Sequence, residues 1–147
     1  MGTTNLHIEE EYKELIKSIM KSEGFAGSPY KDILGFLTFG YGSKFPISPK
    51  EGQMILEHRL LRKIAELRYK KPMVKDLPKP IKEVLFEMCY QLGVNGVLKF
   101  KNMFKAIEDK NYDMMIIQMK DSKWNKQTPN RVKKLTKKVR KYINDNR

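Results

Sequence analysis

The pattern of apolar and polar positions divides the chain into a first helix, a glycine-rich aromatic stretch and a long helical remainder. Between residues 8 and 23, apolar side chains recur at spacings of three and four, and the glutamates fall largely outside that stripe. This spacing predicts an amphipathic helix, and Gly24 predicts its end. From Tyr30 to Phe45, aromatic and β-branched residues are separated by turn-forming residues, which predicts a small antiparallel sheet at about residues 25–47.

The rest of the chain reads as helices. Ser48 and Glu51 form a capping-box pattern that predicts a long helix over about residues 48–71, and prolines follow it. From about residue 80 to the end, apolar stripes predict further helices. Residues 124–131 are expected to form a polar loop that leads into the last helix, with Thr128 as the N-cap of that helix. The predicted fold class is therefore α+β, mostly helical, in one domain over residues 1–147.

Composition narrows the function classes without choosing among them. The chain has 147 residues, of which 40% are hydrophobic and 32% charged, as in an ordinary folded domain. Its formal charge of +13 favours polyanionic partners such as nucleic acid, an anionic membrane surface or an acidic cell-wall polymer. A single cysteine, Cys89, and two distant histidines, His7 and His58, predict no intrachain disulfide, no metal and no cofactor. No segment reads as a membrane span or a signal peptide, which predicts a cytoplasmic protein.

Two carboxylates lie on either side of the change from helix to sheet. Glu23 follows the apolar stripe at the end of the first helix, where burial and the helix dipole would both favour its protonated form. A protonated carboxyl can serve as a general acid. Asp32 falls near a predicted strand end, where the simpler interpretation is a turn-forming residue.

Three motifs resemble the phage-type lysozymes, the muramidases of the T-even phage family. The first runs from Glu23-Gly24 through Tyr30-Lys31-Asp32 to the segment Thr38–Gly42; the second is Tyr90–Gly93, and the third is Trp124–Arg131. The resemblance implies a two-lobed, lysozyme-like fold. It would have a small sheet lobe at about residues 25–47, a connecting helix at about 48–71 and a helical lobe at about 80–147. The helical lobe would also contain the N-terminal helix, at about residues 8–23.

The resemblance also implies roles for individual residues. Glu23 would be the general acid, Asp32 the carboxylate that activates or steers water, and Thr38 the hydroxyl that holds this water. Arg131 matches a family arginine near the catalytic acid. The matched substrate-binding positions are Lys44, Tyr90, Gln91, Met103 and Gln118. Lys44, Met103 and Gln118 differ in type from the side chains usual in the family, which puts substrate affinity and peptide preference in question.

The leading hypothesis is a peptidoglycan muramidase that hydrolyses the β-1,4 bond between N-acetylmuramic acid and N-acetylglucosamine with inversion. It would be a monomeric phage endolysin, without specific nucleic-acid binding or membrane insertion. It would be held in the cytoplasm of the infected cell until a separate holin-type permeabiliser lets it reach the wall and cause lysis. The alternatives are a catalytically decayed wall-binding or phage structural module, a nucleic-acid binder that uses residues 131–141, and a transglycosylase.

Overall fold

A computed structural model describes residues 6–147, with side chains described from Glu9 onwards. The chain forms two compact units: the first ends at Gly52 and the second spans Gln53–Arg147. The interpretations that depend on the first five residues and on the side chain of His7 lie outside the described part. Within that part, no helix is both long and apolar enough to cross a membrane.

The first unit begins with two helices where the sequence predicted one. Helix α1 spans Leu6–Glu11 and helix α2 spans Lys13–Glu23. They are separated at Tyr12, whose backbone angles of φ −105° and ψ 17° leave the α-helical region. The predicted end of the helix is confirmed, because the Gly24 amide donates to the Met20 carbonyl at 2.9 Å and closes the last turn of α2.

Three short strands follow and form the predicted antiparallel sheet. Strand β1 spans Ala26–Lys31, β2 spans Leu37–Gly40 and β3 spans Ser43–Lys44, in the sheet order β1-β2-β3. The register places Thr38 of β2 opposite Tyr30 on one side and Lys44 on the other. The central strand therefore brings side chains from all three strands to one place.

Helix α3 spans Pro49–Lys70, close to the predicted limits of 48–71. Its capping box is formed as predicted. The Ser48 amide donates to Glu51 Oε1 at 3.0 Å, and the Glu51 amide donates to Ser48 Oγ at 3.1 Å. These two bonds satisfy amides that have no partner within the helix.

The second unit is helical and contains most of the buried core. A 3-10 turn at Pro72–Asp76 leads into six helices: α4 Lys79–Leu92, α5 Val94–Leu98, α6 Lys101–Glu108, α7 Tyr112–Lys120, α8 Lys123–Gln127 and α9 Pro129–Asp145. The predicted α+β, mostly helical fold class with a small sheet is confirmed. Cys89, Met115 and Met119 are buried, whereas Met114 is 39% exposed.

The segment predicted as a polar loop differs from that prediction. Helix α8 occupies part of this segment. Ser122 is its N-cap, and Ser122 Oγ accepts from the Asn125 amide at 3.1 Å. Trp124 in this helix is buried at 3% exposure. The Thr128 side chain accepts from no amide of α9 and so does not cap this helix; its hydroxyl donates to the Trp124 carbonyl at 3.1 Å. The hydroxyl therefore closes α8 rather than opening α9.

Candidate functional site

Glu23 is the last residue of α2, and its carboxyl group lies against the turn between β2 and β3. The contact is with Gly42. A Cβ atom placed on Gly42 would stand 2.6 Å from Cδ of Glu23 and 3.0 Å from its Cγ, closer than carbon atoms approach without a clash. Gly42 also has a φ of +73°, which glycine adopts at little cost. The absence of a side chain at Gly42 therefore lets the Glu23 carboxyl approach the turn.

The first unit does not bury Glu23. Helix α2 has no buried residue, and Glu23 itself is exposed. The burial that the sequence predicted for this carboxyl is therefore not supplied by the sheet and turns of its own unit. What these elements do supply is the position of the carboxyl, through the end of α2 and the contact with Gly42.

The Asp32 carboxylate stabilises the turn that joins β1 to β2 and also forms a hydrogen bond to a side chain of β3. Its Oδ1 accepts from the amides of Leu34 at 2.9 Å and Phe36 at 2.8 Å. Its Oδ2 accepts from Nζ of Lys44 at 2.5 Å. The turn-forming interpretation and the interpretation as a site carboxylate are therefore compatible, because each uses a different oxygen.

Thr38 stands in the centre of the sheet and is only 1% exposed. Its hydroxyl donates to the Phe36 carbonyl at 2.9 Å and lies 3.4 Å from Nζ of Lys44, from which it accepts. The cross-strand pairing of Thr38 with Lys44 explains this proximity. One ammonium group thus contacts both Asp32 and Thr38.

Charge within this cluster is arranged to keep Asp32 ionised. The hydrogen bond from Lys44 lowers the pKa of the Asp32 carboxyl, and the bond from the Phe36 amide lowers it further. The same bond to Asp32 raises the pKa of the Lys44 ammonium, and the charges of Asp32, Tyr30 and Glu23 add to that rise. The structure therefore brings Asp32, Thr38 and Lys44 together, with Glu23 near enough to act on the ammonium.

The second unit joins two of the sequence motifs through Gln91. The Trp124 indole Nε1 donates to Gln91 Oε1 at 2.9 Å, and Gln91 Nε2 donates to Thr128 Oγ1 at 3.2 Å. Gln91 lies near the end of α4, whereas its two partners lie in α8 and directly before α9. This network fixes α8 against α4.

The other predicted substrate-binding residues of this unit line two different grooves. Met103 and Gln118 line one groove of about 480 Å³, together with Phe100 and Trp124, although Met103 is only 1% exposed. Tyr90, which is 36% exposed, lines a different groove beside Arg59. The roles of these residues in substrate binding remain predictions.

Arg131 forms an ion pair within its own unit. Its Nε donates to Glu87 Oε2 at 2.7 Å, and Lys134 contacts the same carboxylate at 3.3 Å. A contact of Arg131 with Glu23 remains a prediction. Besides Arg131, four basic residues of α9 form ion pairs, namely Lys134, Lys138, Arg140 and Lys141. This pairing favours a solvated surface over a strip for nucleic acid.

Sequence reasoning missed two features of the first unit. It assigned Lys44 only to substrate binding, and it gave Gly42 no role beside Glu23. Both depend on the register of the sheet, for which the sequence offered only the alternation in β2 and the two glycines of the turn. Within residues 9–147, no group of three His, Cys, Asp or Glu side chains is placed to hold a metal ion. The prediction of a cofactor-free site remains a prediction.

Comparison with known proteins gives one consistent result. The model of a family described as phage lysozyme matches residues 20–141. A probable T4-type lysozyme 1 from Dictyostelium discoideum is 30% identical over 149 aligned residues, which cover 79% of this chain and 88% of that protein. A probable T4-type lysozyme 2 from the same organism is 44% identical over 50 residues, covering 34% of this chain and 29% of that protein. The match to the family includes Glu23, Asp32 and Thr38 within its range.

Proposed function

Because the chain belongs to the phage lysozyme family, we propose that it is a lysozyme-type muramidase. Its substrate is bacterial peptidoglycan, and the bond hydrolysed is the β-1,4 bond between N-acetylmuramic acid and N-acetylglucosamine. The observation that carries the proposal is the cluster of Asp32 and Thr38, joined through Lys44 in the unit that also positions the Glu23 carboxyl. The names of both relatives agree with it.

The proposed reaction uses two carboxyl groups in different protonation states. Glu23 donates a proton to the glycosidic oxygen, which leaves with the bonding electrons. A water molecule held by Asp32 and Thr38 attacks the anomeric carbon, and its proton passes to Asp32. The lowered pKa of Asp32 supports its part, because only an ionised carboxylate can take up the proton of the attacking water. We propose an inverting course, in which water attacks directly and no covalent sugar–enzyme intermediate forms.

The wider role is a further proposal, which the family membership supports. We propose a monomeric phage endolysin that waits in the cytoplasm of the infected cell and requires a separate membrane permeabiliser to reach the wall. The net charge of +13 supports attraction to the anionic wall, since opposite charges attract over about 8–10 Å at physiological salt. Expression in Escherichia coli with and without an added permeabiliser tests this role: lysis only with the permeabiliser supports it, and lysis without one contradicts it.

The chemistry is tested by the first product released from purified peptidoglycan. Mass spectrometry is expected to show fragments with a reducing N-acetylmuramic acid. Fragments ending in anhydro-N-acetylmuramic acid would identify a transglycosylase instead. Pull-down of the protein with peptidoglycan, without new reducing ends, would identify a wall-binding module.

The stereochemical course is tested separately, by proton nuclear magnetic resonance of the newly formed anomer before it equilibrates. Hydrolysis of a β bond with inversion is expected to give the α anomer first. A β anomer as the first product would contradict inversion and would indicate a retaining, two-step course.

A further inference from the structure

The hydrogen bonds around Asp32 leave one acceptor position open. An ionised carboxylate has about four lone-pair positions, two on each oxygen. Asp32 Oδ1 accepts from the Leu34 and Phe36 amides at 2.9 and 2.8 Å, so both of its positions are used. Oδ2 accepts from Lys44 at 2.5 Å. The remaining position on this carboxylate is therefore the second lone pair of Oδ2.

The same count leaves one acceptor position on Thr38. A hydroxyl group has one donor and two acceptor positions. Thr38 uses its donor on the Phe36 carbonyl at 2.9 Å and accepts from Lys44 at 3.4 Å. The open positions of Thr38 and Asp32 flank the same ammonium group. A water molecule that donates one hydrogen to each oxygen would keep its own lone pairs free for attack.

We infer that Lys44 is a positioning residue for the hydrolytic reaction: its ammonium group orients Asp32 toward Thr38, so that these two oxygens direct a water molecule. This inference rests on the proposed function and replaces the earlier assignment of Lys44 to substrate binding. A carboxylate bonded to an ammonium group is a weaker base, since general-base strength follows the pKa. Asp32 therefore steers the water more than it deprotonates it in advance.

The charges around the pair determine what removal of Lys44 does. Besides Asp32, the groups that act on the ammonium are Tyr30 of β1 and Glu23 of α2. Without Lys44, Asp32 would lose the hydrogen bond and the positive charge that lower its pKa, so the pKa of Asp32 would rise. Since hydrolysis requires ionised Asp32, activity would then be lost at a higher pH than in the wild type.

The test uses Lys44→Met, which removes the ammonium group and keeps most of the unbranched side chain, Lys44→Arg, which keeps the charge, and Lys31→Met as the matched control. Lys31 is exposed and adjacent to Asp32 in the sequence, so its removal takes away one nearby charge but none of the bonds from Lys44. The readouts are kcat, KM and the pH profile of kcat/KM on soluble peptidoglycan fragments. A second readout is the carbon-13 titration of the Asp32 carboxyl in the folded protein.

Lys44→Met is expected to lower kcat at neutral pH by about 10- to 10²-fold with little change in KM, because a small misplacement of a reacting group costs this much. It is also expected to move the acidic limb of the pH profile, and the Asp32 titration, to higher pH. Lys44→Arg is expected to keep the acidic limb of the pH profile at its wild-type position. Lys31→Met is expected to leave kcat within about twofold of the wild type.

Three results would overturn the inference. The first is a wild-type Asp32 that titrates at its ordinary value, which needs no variant and so does not depend on whether Lys44→Met folds. The second is an acidic limb that does not move in an active Lys44→Met enzyme. The third is an effect of Lys44→Met confined to a higher KM, which would return Lys44 to substrate binding. An inactive wild type would contradict the proposed function instead, while the titration would still show whether Lys44 acts on the Asp32 carboxyl.

Discussion

Substitution of Gly42 by alanine tests how the structure positions the proposed catalytic acid. Gly42 has a φ of +73°, and a non-glycine residue in this left-handed region costs about 1–2 kcal/mol. The new Cβ would stand 2.6 Å from Cδ of Glu23, where carbon atoms normally remain roughly 3.5–4.0 Å apart. The carboxyl must therefore move by about 1 Å.

The Glu23 side chain is exposed and can rotate away from the new Cβ atom. The substitution should therefore reduce activity more than it reduces stability. A reacting group misplaced by about 1 Å can cost about 10²-fold in rate. We therefore expect Gly42→Ala to lower the free energy of unfolding, measured in urea, by about 1–2 kcal/mol relative to the wild type. We also expect its kcat on soluble peptidoglycan fragments to be lower by about 10²-fold.

Gly40 offers a matched control in the same hairpin. Its φ is +61°, but a Cβ built on it meets no atom within 4 Å. Gly40→Ala should therefore show the same loss of stability, with kcat within a few-fold of the wild type. If the two variants had equal activity, the contact between Gly42 and Glu23 would have no catalytic importance, and the argument from this geometry would be refuted.

Three further predictions concern stability and reactivity. Trp124→Phe removes the indole donor to Gln91, and we expect urea unfolding to show a loss of about 1 kcal/mol; an unchanged midpoint would show that water replaces this bond. Ser48→Ala breaks the capping box of α3 and should cost about 0.5–2 kcal/mol in the same assay, whereas Ser18→Ala on the exposed face of α2 should not destabilise the protein. Burial raises the pKa of the Cys89 thiol to about 12, so iodoacetamide at pH 8 should label unfolded protein and spare native protein. Equal labelling rates would contradict the burial of Cys89.

Features encoded by neighbouring residues could be predicted from the sequence. The end of α2 at Gly24 and the capping box of Ser48 and Glu51 each depend on residues within four positions of one another. The strands of the sheet were also recognisable, because each short run of aromatic and β-branched residues is flanked by turn-forming residues. The resemblance then placed Glu23, Asp32 and Thr38 on these elements.

Features that depend on distant residues were missed. Thr128 was expected to cap α9, but its hydroxyl closes α8 and accepts from Gln91, which lies 37 positions earlier. Lys44 reaches Asp32 across 12 positions of sequence, through a register that the alternation of residues does not specify. A lysine in that strand therefore read as a surface or substrate contact until the pairing of β2 with β3 was known.

Charge gave a similarly incomplete picture. The basic stripe of α9 permitted a nucleic-acid interpretation because the sequence does not show which carboxylates face it. In the folded chain, Lys138 pairs with Glu83 at 2.8 Å and Arg140 pairs with Asp113. These partners lie in α4 and α7, so only the packing of the helices brings them to α9.

The most direct test of the central claim is the release of reducing ends from purified peptidoglycan by the wild type, Glu23→Gln and Glu14→Gln. Glu14 is the matched control, since it lies on the same helix and is exposed. We predict that the wild type and Glu14→Gln release reducing ends at similar rates, and that Glu23→Gln is slower by about 10²- to 10⁴-fold, the usual contribution of a positioned proton donor. Release by Glu23→Gln at the wild-type rate, or no release by the wild type, would contradict the account.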